Sequence, residues 1–126
     1  MLNAQRILVV EDEEALALGV RDALEHAGYA VELAHDGPTA LARIRAEEYD
    51  LVVLDLMLPG MNGLDVLRAV RQENANPRFL ILSALAEESD ILRGFDSGAE
   101  DYLKKPFSPK ELVARVSAQF RRRDLD

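Results

Sequence analysis

Four short apolar runs, Ile7–Val10, Leu51–Leu54, Phe79–Leu82 and Tyr102–Leu103, each give way within two residues to polar side chains. Glu11-Asp12 follows the first, Asp55 the second, Ser83 the third and Lys104-Lys105-Pro106 the fourth. Runs this short and this uniformly apolar read as strands covered on both faces, the habit of a parallel sheet. In an open parallel sheet the carboxyl ends of all strands emerge along one edge, so residues distant in sequence converge there. Such a sheet gathers three carboxylates (Glu11, Asp12, Asp55), the Ser83 hydroxyl and the Lys105 ammonium in one cleft.

Between the runs the apolar period becomes helical. Leu16, Val20, Ala23 and Leu24 share a face, and Gly28 closes that helix. Ala30–Ala34 alternates as a second strand, with Val31 and Leu33 on one face and Glu32 on the other. Asp36-Gly37-Pro38 opens a second helix with Leu41 and Ile44 inward. A loop from Met57 to Gly63, punctuated by Pro59 and Gly60, precedes a helix over Leu64–Arg71 with Leu64, Leu67 and Val70 inward. Glu87–Ser97 reads as the fourth helix, ended by Gly98. Ser108 as N-cap, Pro109 at N1 and Glu111 at N3 make a capping box for the fifth, which should run to about Arg121. Five β-α units with no repeat or internal linker imply an α/β fold, a right-handed, doubly wound parallel sheet with helices on both faces.

A length of 126 residues suits one domain with a real core. With 15 Lys and Arg against 23 Asp and Glu, the net charge of −8 argues against nucleic-acid binding by this domain itself. The absence of cysteine excludes disulfides, thiolate zinc sites and cysteine nucleophiles. The first apolar run is too short for a signal peptide or a membrane span, so no membrane association and a cytoplasmic location are expected by default.

In order and at these separations, four motifs carry a resemblance: Ile-Leu-Val-Val-Glu-Asp-Glu, Leu-Asp-Leu-Met-Leu-Pro-Gly-Met-Asn-Gly, Leu-Ser-Ala and Gly-Ala-Glu-Asp-Tyr-Leu-Lys-Lys-Pro-Phe. Across nearly its whole length the chain resembles a response-regulator receiver domain, the phospho-acceptor module of two-component signalling. The resemblance implies a flavodoxin-like sheet in the order 2-1-3-4-5. It implies a receiver over residues 1–122, with 123–126 beginning a linker. Asp55 is then the nucleophile and phosphate carrier. Glu11, Asp12 and Asp55 hold a Mg²⁺ ion, the Met57 backbone carbonyl completes the protein ligands, and Glu11 acts largely through water. Lys105 pairs with Asp55 at rest and grips a phosphate oxygen afterwards, Ser83 donates to another, and Tyr102 is the switch aromatic. The donor is a histidine on a sensor histidine kinase, so neither His26 nor His35 is required. The residue types suit this role, because phosphoryl transfer onto a carboxylate needs positioning and charge neutralisation above all.

Two other classes stay open. A magnesium-dependent aspartyl phosphohydrolase of the haloacid-dehalogenase type would use similar chemistry, but it carries a second aspartate where Met57 stands. A degenerate receiver acting only in protein interactions would lack one of the acidic, hydroxyl or lysine positions, and none is lacking.

The stretch from Gly94 to Val116 further resembles receivers joined to winged-helix DNA-binding domains, the OmpR/PhoB type, with Arg121-Arg122-Arg123 at the linker. That implies a transcriptional output beyond Asp126; a stand-alone receiver, or one joined to a non-DNA-binding output, is the alternative. It also implies a homodimer formed on phosphorylation through the fourth helix, fifth strand and fifth helix. Ile91, Leu92, Phe95 and Val113 supply its apolar contacts, and Asp96, Asp101, Glu111, Arg115 and Arg122 its charges. The subfamily often carries a basic residue where Ile91 stands, so one ion pair to Glu111 is missing. Leu85-Ala86-Glu87-Glu88 offers the fourth helix no good N-cap, which leaves its position free to shift. Met57 and Leu85, two residues beyond Asp55 and Ser83, cannot orient a water, so the acyl phosphate should be long-lived.

Overall fold

A computed structural model of the chain describes residues 4–73 and 77–125. The elements follow one another as β1 (Arg6–Val10), α1 (Glu14–His26), β2 (Ala30–Ala34), α2 (Gly37–Ala46), β3 (Leu51–Asp55), α3 (Gly63–Gln72), β4 (Arg78–Ser83), α4 (Glu88–Asp96), β5 (Asp101–Lys104) and α5 (Pro109–Leu125). All neighbouring strands are parallel and the sheet order is β2-β1-β3-β4-β5. The expected alternation and order are both present.

Period-two alternation divides the strands between two cores. Ile7, Val9, Leu51, Val53, Leu80 and Leu82 point to a layer formed by α1 and α5, where Leu24, Leu112, Val116 and Phe120 meet them. Leu8, Val10, Val52, Leu54, Phe79 and Ile81 point to the other layer, against Leu41, Ile44, Leu67 and Val70 of α2 and α3. Each fully buried leucine contributes roughly 1.5–3 kcal/mol, so β1, β3 and β4 form the stable centre.

Local chemistry sets the element ends. The Asp36 carboxylate accepts from the Thr39 N–H at 2.7 Å and starts α2, and Asn62 accepts from Leu64 at 2.8 Å and starts α3. Gly28, with φ of +101°, turns the chain after α1. α4 corrects an expectation: Asp90 accepts from the Glu87 backbone N–H at 3.3 Å, so a side chain three residues on supplies the missing cap. In α5 only half of the expected capping box forms. Ser108 Oγ accepts from the Glu111 N–H at 3.1 Å, while the Glu111 carboxylate turns to Arg115 at 3.3 Å.

α5 also continues past Arg121 to Leu125. Arg123 reaches Asp50 at 2.9 Å and lies over the Phe120 ring, fastening the last turn beneath the sheet. Residue 126, the last of the expected linker, lies outside the described residues. Among the described residues no helix is long and apolar enough to cross a membrane.

Candidate functional site

The carboxyl ends of β1, β3, β4 and β5 meet at one edge of the sheet, and each delivers one of the expected polar groups. After Val10 the Glu11 N–H donates to the Ala34 carbonyl at 3.0 Å, which holds the chain against β2 for one more residue. Glu11 is therefore turned inward and only 2% exposed, while Asp12 faces solvent. Asp55 ends β3 at 5% exposure, and its Oδ1 accepts from the Met57 N–H at 3.2 Å.

Beyond β5 the Lys105 N–H donates to the Ser83 carbonyl at 2.8 Å, so the ladder between β4 and β5 carries the lysine to the cleft. The Lys105–Pro106 peptide bond is cis. Lys105 Nζ then donates to Glu11 Oε1 at 2.7 Å and to Asp55 Oδ2 at 3.1 Å. Lys104, its neighbour, is exposed.

Electrostatically the cleft is short of positive charge. Glu11, Asp12 and Asp55 can each present an oxygen with all three atoms within 4.8 Å of one another, against the single Lys105 ammonium. Burial pushes the Glu11 carboxyl above its ordinary range, and the Asp55 charge adds to the push against the pull of Lys105. Burial alone would draw Lys105 down, but its hydrogen bond to Glu11 and the charge of Asp55 outweigh this and hold it above the ordinary lysine range. One ammonium between two buried carboxylates stays charged, and one of those carboxylates resists ionisation. An oxygen-only donor set with excess negative charge fits a hard divalent cation.

Ser83 is buried at the end of β4, where its Oγ accepts from the Leu85 N–H at 3.0 Å. The Leu85 carbonyl in turn accepts from the Tyr102 hydroxyl at 2.6 Å. Ser83 and Tyr102 thus hold the backbone N–H and the carbonyl of Leu85, on either side of its Cα. Burial raises the Tyr102 phenol above its ordinary value. Met57 and Leu85 themselves are exposed beside the cleft.

The residues expected at a dimer face divide between two sides. Leu92 and Phe95 are exposed at 53% and 44%, whereas Ile91 packs onto the core. Leu92 and Asp96 border the groove between α3 and α4. Asp101 and Glu111 both bond Arg115 of the same chain, at 3.1 and 3.3 Å, and Arg122 is exposed. Val113 lies elsewhere than expected: it borders a groove with Asp22, Ala23 and His26 of α1 and packs onto the α1–α5 core.

One residue at the site was not anticipated. His35 follows β2 and places Nδ1 3.0 Å from the Glu11 carbonyl oxygen, which can only accept, so Nδ1 carries the proton. Its position directly after a strand was the available signal, since the end of β2 joins the same edge.

Residues 7–117 match the family described as the response regulator receiver domain. The chain is 48% identical over 120 residues to the DNA-binding response regulator MtrA of Mycobacterium tuberculosis, covering 95% of this chain and 52% of that protein. It thus spans about half the length of the curated relatives it matches. Among solved structures, a Francisella response regulator receiver domain is 36% identical with a TM-score of 0.90, covering 94% of this chain and 98% of that one. DrrB, a Thermotoga maritima OmpR/PhoB homologue, is 31% identical with a TM-score of 0.87, covering 96% of this chain and 54% of its own. With a receiver-domain match over residues 7–117 and a relative 48% identical over 95% of the chain, this protein belongs to the receiver domains of two-component response regulators.

Proposed function

We propose that Asp55 is the phospho-acceptor of this receiver and that a partner histidine kinase supplies the phosphoryl group in a Mg²⁺-dependent transfer. The observation that carries the reading is the buried Asp55 carboxylate, bridged to Lys105 at 3.1 Å within an acidic trio. An oxygen of Asp55 attacks phosphorus, the P–N bond to the donor imidazole breaks, and the imidazole leaves as a neutral base after protonation. Glu11, Asp12, Asp55 and the Met57 carbonyl would hold the cation, which supplies charge neutralisation at the phosphoryl oxygens. Lys105 leaves Asp55 for a phosphate oxygen, a charge-assisted bond that grows as the P–O bond forms.

Ser83 provides the readout. Its Oγ now accepts from the Leu85 N–H, and a phosphate oxygen near Asp55 gives its hydroxyl proton a stronger acceptor. Movement of Ser83 loosens the Leu85 peptide, and with it the 2.6 Å bond that holds Tyr102. Tyr102 lies under α4, where Gly94 allows the helix to sit on the ring. The phosphorylated state is then favoured by differential contacts of one charged group, and α4 responds by a shift in population. Dimerisation through the exposed Leu92 and Phe95, and a DNA-binding output as in the longer MtrA-like relatives, complete the reading.

The test is intact mass after incubation with acetyl phosphate and Mg²⁺. One added phosphoryl group is expected, with none on Asp55→Asn and none without Mg²⁺. Undiminished phosphorylation of the Asn variant would sink the assignment. Steady hydrolysis of added phosphomonoesters would favour a phosphohydrolase instead.

A further inference from the structure

The loop between β3 and α3 is seated on a helix that supplies none of the functional groups above. Gly37, the first residue of α2, donates its N–H to the Pro59 carbonyl at 3.4 Å. A β-carbon at Gly37 would stand 2.6 Å from Met61 Cβ and 2.7 Å from the Met61 carbonyl oxygen. Neither atom is the free end of a side chain, so any larger residue at position 37 must displace the loop or the helix. Gly37 does not occupy the left-handed region, so it is contact rather than conformation that demands glycine here.

Two further contacts complete the seat. Pro38 Cδ lies 3.4 Å from where a β-carbon of Gly60 would stand, and Gly60 has φ of +76°, so the ring supports a turn that only glycine makes without strain. At the far end the Gly63 N–H donates to the Leu56 carbonyl at 2.9 Å, and a β-carbon on Gly63 would collide with the Asp55 carbonyl oxygen. Met57 lies between these fixed points. Its N–H is held by Asp55 at 3.2 Å, and two residues later Pro59 is bonded to α2.

We infer that Gly37 is a positioning residue for the divalent-cation site: by letting α2 seat directly on the loop, it fixes where the Met57 carbonyl points. This rests on the reading above, in which that carbonyl is a ligand. Mg²⁺ is the demanding case, because it takes near-octahedral oxygens at about 2.0–2.1 Å. Restoring ordinary contact between a β-carbon at 37 and Met61 separates α2 from the loop by the better part of an ångström, and any share of this that the loop takes up exceeds that tolerance.

The experiment titrates metal-free protein with Mg²⁺ by calorimetry and follows backbone amides by NMR. Gly37→Ala should raise the Mg²⁺ Kd at least fivefold, with amide shifts concentrated in residues 56–62. Acetyl phosphate kinetics should show a matching rise in half-saturating Mg²⁺, with the rate at saturating Mg²⁺ retained. Gly19→Ala, where a β-carbon meets nothing within 4 Å, should leave the Kd unchanged. Should Gly37→Ala fail to fold, Pro38→Ala removes support from the same seat without adding an atom, and at least a twofold rise in Kd is expected. A wild-type Kd in the variant that folds overturns the inference. Wild-type protein that takes no Mg²⁺, or an Asp12→Asn variant that binds it equally well, overturns the underlying reading instead.

Discussion

Neutralising Asp12 should make the metal-free domain more stable while removing its response to Mg²⁺. The three carboxylates can bring oxygens within 4.8 Å of one another, and Lys105 is bonded to Glu11 and Asp55. Two like charges at that separation repel by about 0.9 kcal/mol in the dielectric of water and about 3.5 kcal/mol at an effective value near 20. Asp12 faces solvent, so the lower figure applies, and salt trims it further. Two such repulsions, offset by one attraction to Lys105, leave roughly 0.5–1 kcal/mol against the folded state. Asn keeps the shape of Asp, and Glu13 and Glu14 preserve the negative charge that favours the start of α1.

Asp12→Asn in EDTA should therefore gain about 0.5–1 kcal/mol, or roughly 2–5 °C in Tm. Mg²⁺ at ten times its Kd adds about 1.4 kcal/mol to the wild type and far less to a variant missing one ligand. The order of stability should narrow or invert between the two buffers. The chain has no tryptophan, so urea unfolding is followed by far-ultraviolet circular dichroism, in EDTA and in Mg²⁺. A variant less stable than wild type in EDTA would show that Asp12 makes a favourable contact the geometry lacks. An equal gain from Mg²⁺ would remove Asp12 from the cation site.

Four other outcomes are expected. On the proposed reading the exposed apolar side chains of Met57 and Leu85 would flank the in-line path to phosphorus, so the phosphorylated domain should lose phosphate over minutes to hours; a half-life of seconds in a phosphate-release assay refutes this. With beryllofluoride and Mg²⁺ the domain should sediment as a dimer, and Phe95→Asp should weaken it more than Asp101→Ala, because Phe95 is exposed while Asp101 is already paired to Arg115. Arg71→Ala should destabilise the fold by about 2 kcal/mol in urea, since Arg71 bonds the Gly98 and Pro77 carbonyls and Glu100, which itself accepts from the Phe79 N–H; a loss under ~0.5 kcal/mol would mean these bonds merely replace water. Burial raises the Tyr49 and Tyr102 phenols above 10.0, so the native state keeps protons that the unfolded chain releases, and stability should fall as pH rises past that value; equal urea midpoints at pH 9 and pH 10.5 contradict it.

The sequence made the fold and the chemical trio readable for one shared reason. Parallel strands buried on both faces must be apolar throughout, so the first polar residue after each one marks the sheet edge where ligands collect. Glu11, Asp55 and Ser83 were legible from that break alone, whereas the break after Leu103 points first to Lys104, and it is the resemblance in Lys-Lys-Pro-Phe that singles out Lys105. What stayed hidden depends on where a side chain goes once the backbone is fixed. Glu87-Glu88 looks like a poor helix start because a cap is sought at the N-cap itself, yet Asp90 supplies it from inside the helix. Glu111 could serve either the capping box or an i,i+4 pair, and Arg115 takes it.

The charges expected to fix the register of a dimer show the same limit more sharply. Spacing puts Asp101, Glu111 and Arg115 near one another, but it does not say whether they pair within a chain or between chains. Within this chain they form a closed group, with Arg115 at 3.1 Å from Asp101 and 3.3 Å from Glu111. An interface that used these charges would first have to break bonds already made, and exposed pairs of this kind return little, about 0–1 kcal/mol each. The exposed Leu92 and Phe95 carry no such prior commitment. Burying an aromatic ring against a second copy removes apolar surface from water without undoing any internal contact. Apolar burial is therefore the contribution that would dominate the affinity of the proposed activated dimer, with Arg115 setting orientation only where it could serve a partner and Asp101 together.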